Sequence, residues 1–325
     1  MTMAVRRNIV TNAAARDSYI QGITLLKNEN SGTTTGALGL PGPSKQLSTF
    51  DLFVVWHHWA MDQFTPPTQG DRNAAHSGPA FLPWHRYMLI QLEAQLQRVL
   101  GDSTFGLPYW DWAADGERTK ADQPRSALWK ANCMGGNGDP AAGDAVRDGP
   151  FSAASGWRVE VAVDSNGVLR SVSRPLRRAF DLARGLPRKS HVGQAVARTS
   201  YDVAPWSSLS AGFRNRVEGW APAATAPHLH NRVHVWVGGD MLPSSSPNDP
   251  VFYLNHCNAD RIWAAWQKGH PSAPYKPGQG AAQTLFRHRV DDPLYSIFAA
   301  GGNGPPLRQM LNVGNVYTYG SLAVA

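Results

Sequence analysis

Residues 75–86 read AHSGPAFLPWHR. Two histidines, His76 and His85, are separated there by a glycine, two prolines, a phenylalanine and a tryptophan. Gly78-Pro79 and Leu82-Pro83 interrupt regular backbone, because proline fixes its own φ and biases the residue before it away from the helical region. His76 therefore falls on a loop. His85 falls in the first turn of a helix predicted over residues 83–100, with Pro83 at its start and Gly101 just past its end. On that helix His85 shares a face with Met88, Leu89, Leu92 and Leu96, so the segment aims imidazole into an apolar interior.

Three more predicted helices repeat the pattern. DLFVVWHHWAMDQF, residues 51–64, follows Ser48 with Asp51 three residues on, a capping-box start. His57 lies there with Phe50, Phe53, Val54, Met61 and Phe64, whereas His58 shares a face with Asp51 and Asp62 and is expected nearer solvent. In LHNRVHVWV, residues 229–237, His230 and His234 are one helical turn apart and project to one side. Residues 249–268 start from Asn248 or Asp249 as cap, carry Pro250 in the first turn and stop at Gly269; His256 lies with Phe252, Tyr253, Asp260 and Trp263. Between the helix pairs, residues 157–173 alternate around Asn166-Gly167, which reads as a β-hairpin. Residues 135–150 and 270–280 read as Gly/Pro-rich loops.

Composition bounds the rest. The chain has 325 residues, 42% of them hydrophobic and 17% charged, which is globular and free of any disorder signature. The net charge of +7 is spread along the chain. Its densest arginine cluster, Arg170 to Arg188, reads as solvated surface, since no nucleic-acid-binding motif stands beside it. No apolar run approaches the ~20 residues of a membrane span. Arg6-Arg7 is not followed by an apolar stretch, so no signal peptide is read and the chain is expected in the cytoplasm as synthesised, with export depending on a partner. Two cysteines, Cys133 and Cys257, cannot make a disulfide framework.

A single histidine on an apolar face is ordinarily a satisfied core residue. Several together are different, because each buried imidazole without a partner costs about 1–3 kcal/mol. A shared metal removes that cost for all of them, and imidazole suits Zn, Cu, Fe or Ni. A zinc hydrolase of the HExxH type needs Glu where this chain has Asn231. No cysteine spacing suits a zinc ribbon, and no carboxylate stands among these histidines for a facial triad. An all-imidazole set points to copper, and its size points to two ions.

His76-SGPA-Phe81-Leu82-Pro83-Trp84-His85-Arg86-YM-Leu89-IQL-Glu93 resembles the first copper signature of the tyrosinase family of type-3 copper proteins. Asp249-Pro250-V-Phe252-YLN-His256-CNA-Asp260 resembles the second, and LHNRVHVWVGG (229–239) resembles the first half of the second copper site in its bacterial, streptomycete-like members. With FVVWH (53–57) the resemblance runs from about Asp51 to Gln267. It implies a mainly α fold, a four-helix bundle around a dinuclear copper site with small β-hairpin and strand additions. It implies His57, His76 and His85 on one copper, and His230, His234 and His256 on the other. His58 competes with His57, and helix register favours His57. The family usually has His where Asn255 stands, which removes a neighbouring imidazole and not a ligand. Asp260 is open between anchoring a ligand and a salt bridge with Arg86 or another arginine. Ala74 stands where fungal and plant members carry a thioether-forming cysteine, so no such crosslink is expected, and Cys257 should point away from the metals. Tyr317-Thr318-Tyr319 resembles the motif closing the catalytic core of larger relatives, so residues 1–325 are expected to form one catalytic domain without a C-terminal shielding domain.

The copper pair alone does not choose an activity, since oxygen carriers, catechol oxidases and monophenol-hydroxylating enzymes share it. A monophenol, with a pKa near ~10, must lose its proton first. Bacterial members use a water held by a Glu and by the Asn after the first ligand of the second copper; the matching residues are Glu218, in FRNRVEGW (213–220), and Asn231. The stretch APAATAPHL (221–229) reads as longer than in relatives, which could displace Glu218 and leave it a surface carboxylate beside Arg214 or Arg216. Val235 offers the rim of the site no charge. The expectation is a tyrosinase that hydroxylates monophenols and oxidises o-diphenols to o-quinones with O2, in melanin-type chemistry. The alternative is a catechol or o-aminophenol oxidase without hydroxylation, and a distant third is hemocyanin-like O2 binding. Small phenols and O2 are the implied partners; a copper-loading caddie protein is a further candidate, and neither nucleic acid nor membrane is expected.

Overall fold

The computed structural model describes residues 3–66 and 71–325. Its helices are α1 (Ala13–Asn28), α2 (Thr49–Met61), α3 (Phe81–Leu100), α4 (Trp112–Gly116), α5 (Lys189–Val196), α6 (Phe213–Glu218), α7 (Leu229–Val237) and α8 (Val251–Gly269). Short strands pair two by two: β1 (Ala4–Arg6) with β10 (Tyr317–Tyr319), β2 (Asn30–Thr34) with β3 (Gln46–Ser48), β4 (Gly138–Asp139) with β5 (Ala145–Val146), β6 (Val159–Val163) with β7 (Leu169–Arg174), and β8 (Pro293–Tyr295) with β9 (Asn303–Pro306). Of these five pairs β1 with β10 is parallel and the other four are antiparallel. This is the expected mainly α chain with small β additions.

The histidine-bearing helices α2, α3, α7 and α8 form the core. Helix α8 packs against both α3 and α7. Edge-on aromatic pairs join α2 to its neighbours: Phe50 to Tyr253 at 5.8 Å and Trp56 to Trp84 at 5.4 Å between centroids. Helix α1, not anticipated from the sequence, lies along the outside of α3. Its Gly22 permits that approach, since a Cβ there would sit 2.7 Å from Leu96 Cδ2.

The capping box of α2 forms as read, with the Ser48 hydroxyl accepting from the Asp51 N–H and the Asp51 carboxylate accepting from the Ser48 N–H. The helix ends at Met61, short of the predicted Phe64, because Pro66 cannot continue a helix and Phe64 instead bridges to Asn73. Helix α3 begins two residues before the predicted Pro83 and ends on left-handed Gly101, φ 64°. Helix α8 begins one residue after Pro250. Asp249 is not simply its cap, for its carboxylate also takes the Arg178 guanidinium at 2.7 and 2.8 Å. Arg178 is fully buried and Arg174 forks onto Asp240, so these two depart from the solvated surface expected of the Arg170–Arg188 cluster, whereas Arg177, Arg184 and Arg188 are exposed as expected.

Asp260 joins four elements. It accepts from Arg86 Nε at 2.5 Å, Arg6 Nη1 at 3.2 Å and the Tyr317 hydroxyl at 2.6 Å, and also from the Tyr319 hydroxyl. Burial pushes its pKa up, but Arg86, Arg6 and the two hydroxyls outweigh burial and hold it below the usual aspartate value. Of the two readings of Asp260, the salt bridge is the one observed. It ties α8 to α3, β1 and β10 and touches no histidine.

Candidate metal centre

Six histidines meet where the four helices cross. The available nitrogens of His57, His76 and His85 lie within 4.8 Å of one another, as do those of His230, His234 and His256. The two groups abut: the His85 and His256 rings stack at 4.1 Å.

The backbone sets the direction of most of these rings. The Nδ1–H of His57 donates to Ser244 O at 2.6 Å, that of His85 to Phe81 O at 2.8 Å and that of His234 to Met241 O at 2.6 Å. His230 Nδ1 reaches Asn231 Oδ1 at 3.0 Å and Glu218 O at 3.2 Å. With the proton fixed on Nδ1, each Nε2 presents a lone pair to the centre. His57 Nε2 and His85 Nε2 are buried with no protein partner. In the second group His230 Nε2 lies 2.9 Å from the Nε2 of both His256 and His234, with 3.4 Å between the last two. Three lone pairs pointed at one spot repel unless a cation stands among them. Burial, the largest cause, holds all six imidazoles below the ordinary histidine pKa, His57 at about 3 and His234 at about 4, so they are neutral and ready to ligate.

His58 is buried too, contrary to its expected place nearer solvent. Its two nitrogens are already engaged, Nδ1 with Ser244 Oγ at 2.7 Å and Nε2 with Asp62 at 3.2 Å. His76 is held on its loop by an Asx turn: Asn73 Oδ1 accepts from the N–H groups of Ala75 and His76. Asn73 was missed in the sequence, although its position three residues before a loop histidine is a readable turn signal. His288, also unforeseen, supports the same loop, taking the Ala80 N–H on Nδ1 and meeting Thr65 Oγ1 with Nε2. Phe81, Trp84 and Phe252 pack around the imidazoles and exclude water.

Glu218 ends α6 and is completely buried, so it is no surface carboxylate. Its Oε1 accepts from the Ser77 N–H at 2.6 Å and its Oε2 from Arg214 Nη1 at 2.7 Å. Arg214 in turn is paired with Asp202. Burial raises the Glu218 pKa, opposed by Arg214 and by the Ser77 N–H. The long stretch after it leaves Glu218 buried but not among the residues that line the cavity beside the histidines. The loop closes on itself, His228 N–H donating to Gly219 O at 2.9 Å, and a Cβ at Gly219 (φ 113°) would strike His228 O at 2.0 Å. Asn231 Oδ1 is fixed by His230, while its buried Nδ2 has no partner. Asn255 offers Nδ2 to His230 O at 3.5 Å and leaves His256 Nδ1 unpartnered. Cys257 Sγ faces Leu107 O and the Tyr319 hydroxyl, away from the imidazoles.

A cavity of about 400 Å³ opens onto the histidines. Asn231, Met61, Val235, Leu242, Pro227 and Trp220 are among its walls, and among the described residues no Asp, Glu, Lys or Arg side chain lines it.

Two facing triads of neutral imidazole, with no carboxylate or thiolate among the donors, fit a dinuclear copper centre. The fold and the site make this a type-3 copper protein. The family model "Common central domain of tyrosinase" matches residues 47–269. The chain belongs to the tyrosinase family, whose members act on phenols with O2. It is 43% identical over 242 residues to a tyrosinase of Streptomyces antibioticus, covering 74% of this chain and 81% of that one. It is 39% identical over 252 residues to the grixazone synthase of Streptomyces griseus, covering 71% and 79%. Among solved structures, a polyphenol oxidase from Thermothelomyces thermophila shares the fold with a TM-score of 0.70 at 21% identity, covering 98% of this chain and 88% of that one. A functional unit of octopus hemocyanin aligns with a TM-score of 0.57 at 18% identity, covering 98% and 68%.

Proposed function

We propose that the chain hydroxylates monophenols and oxidises the resulting o-diphenols to o-quinones, with His57, His76 and His85 holding one copper and His230, His234 and His256 the other. When bound, the copper pair supplies the electron exchange with O2, which ends as water. The residues of the chain do the rest. Uncharged walls of Met61, Pro227, Val235 and Leu242 suit a neutral ring and favour its burial. The phenol proton, near pKa ~10, requires a base, and Glu218 with Asn231 is the pair assigned to it.

The observation that carries this reading is Asn231. One end of its amide is fixed by a histidine of the centre, and the other is a buried, unpartnered donor on the cavity wall. Such a donor suits a water shared with the carboxylate of Glu218. A second reading, diphenol or o-aminophenol oxidation without hydroxylation, draws on the fact that both Glu218 oxygens already accept a hydrogen bond. Copper-loaded protein assayed on tyrosine and on catechol separates them. Turnover of both supports the first reading, and turnover of catechol alone supports the second.

Copper must reach nitrogens buried below an apolar mouth, which favours delivery by a separate copper-loading protein. Full and rapid uptake of free copper ions by the chain alone would count against that partner.

A further inference from the structure

The loop between Glu218 and α7 has two faces. Trp220 and Pro227 face the copper cavity, while Thr225 and His228 line a second cleft of about 550 Å³. Its other walls come from the start of α5 and from α7. Arg184, Arg188 and Arg232 line this cleft together with His191, and among the described residues no carboxylate lines it.

Two acids, Asp181 and Glu117, stand near these cations. Arg184 meets Asp181 at 3.5 Å in an exposed pair, worth little. Glu117 accepts from the Lys189 N–H at 2.9 Å. Among the described residues, Arg188 and Arg232 have no carboxylate oxygen within 4.0 Å. Arg232 spends only Nε, on Pro227 O at 2.9 Å, leaving its terminal nitrogens free to donate. His191 Nδ1 accepts from the Arg188 N–H at 3.1 Å, so its neutral ring carries the proton on Nε2 and is a further donor. Burial, with Arg188 and Arg232 nearby, keeps its pKa below the usual histidine value. The cleft walls thus carry three guanidinium groups and, among the described residues, no carboxylate, with Asp181 and Glu117 outside them.

We propose that this cleft binds a small oxyanion of the phosphate class, whether free phosphate, sulfate or a phosphomonoester. Guanidinium groups match such an anion two bonds at a time, and the free terminal nitrogens of Arg232 sit beside the loop. The bound anion joins the loop to α5 and α7, and so steadies one wall of the copper cavity from outside. This proposal is independent of the hydroxylation reading, because it needs neither copper nor turnover.

The test is a calorimetric titration of the full chain with inorganic phosphate, paired with hydrogen exchange on residues 219–228. Saturable binding is expected, with slower exchange in that loop. Arg188→Gln and Arg232→Gln should each weaken it about tenfold, the cost of one charge-assisted hydrogen bond. Sulfate should compete. Unchanged thermal midpoints and copper content verify that the variants are folded. No saturable binding to the wild-type chain, undiminished binding to the double variant, or binding that leaves the loop exchange untouched would each overturn the proposal.

Discussion

Glu218→Gln replaces one carboxylate oxygen by an amide nitrogen in a side chain with no exposure. Two separate effects follow. The first is on stability. Gln can still accept from the Ser77 N–H, but Arg214 loses a charged acceptor at 2.7 Å. A wholly unpaired buried charge costs about 3–5 kcal/mol. Here Asp202 still holds the Arg214 guanidinium at 2.8 Å, so the loss should be nearer that of one charged hydrogen bond, about 2 kcal/mol. The second is on chemistry. General-base help contributes typically ~10²–10⁴-fold where proton transfer limits the rate, and Asn231 remains, so monophenol turnover should fall by about 10². Catechols deprotonate more readily and should lose much less. Steady-state rates on tyrosine and catechol, normalised to bound copper, read the second effect, and urea denaturation reads the first. Equal loss on both substrates at full copper occupancy would refute the base role and leave Glu218 as the structural partner of Arg214.

Three further outcomes follow from the geometry. His58→Ala should keep both coppers and most activity, because His58 is engaged by Ser244 and Asp62; loss of one copper, measured by elemental analysis, would reverse the assignment. Copper-free protein should lose stability as pH falls from about 6.5 towards 4. The folded pKa values of His57 and His234 are depressed to about 3 and about 4, so the unfolded chain binds more protons in that window, at up to ~1.4 kcal/mol per imidazole per pH unit. A flat urea midpoint from pH 7 to pH 5 would contradict this. Asp260→Ala strands Arg86 and weakens the hold on Arg6, so the thermal midpoint should drop by the equivalent of at least about 3 kcal/mol while rate per bound copper stays near normal; an intact midpoint would dismiss the hub.

What the sequence made legible was local. The Ser48/Asp51 box, the Asn166-Gly167 hairpin and the helical spacing of His230 and His234 each involve residues close in the chain, and each formed as read. His57, His76 and His85 came together as expected, because α2 and α3 each turn an apolar face with its histidine inward and the proline-broken loop between them carries His76 to the same spot. The failures concern partners far apart in sequence. Arg178 looked like surface because its carboxylate, Asp249, lies 71 residues on. Arg6 reaches Asp260 across 254 residues, and β1 pairs with the far end of the chain, so neither could be read from spacing. His58 was placed nearer solvent because Asp51 and Asp62 share its face. Yet Ser244, from a distant loop, buries it. Helix α1 carries none of the histidines and its place depends on a distant partner, Leu96, which needs the space that Gly22 leaves.

The central claim is a pair of coppers held by two histidine triads, and metal stoichiometry tests it most directly. Copper-saturated wild-type chain should carry two equivalents by elemental analysis, and His57→Ala should carry one, with His230, His234 and His256 intact. Saturation of the wild-type chain at a single equivalent, or two equivalents retained by His57→Ala, would contradict the account.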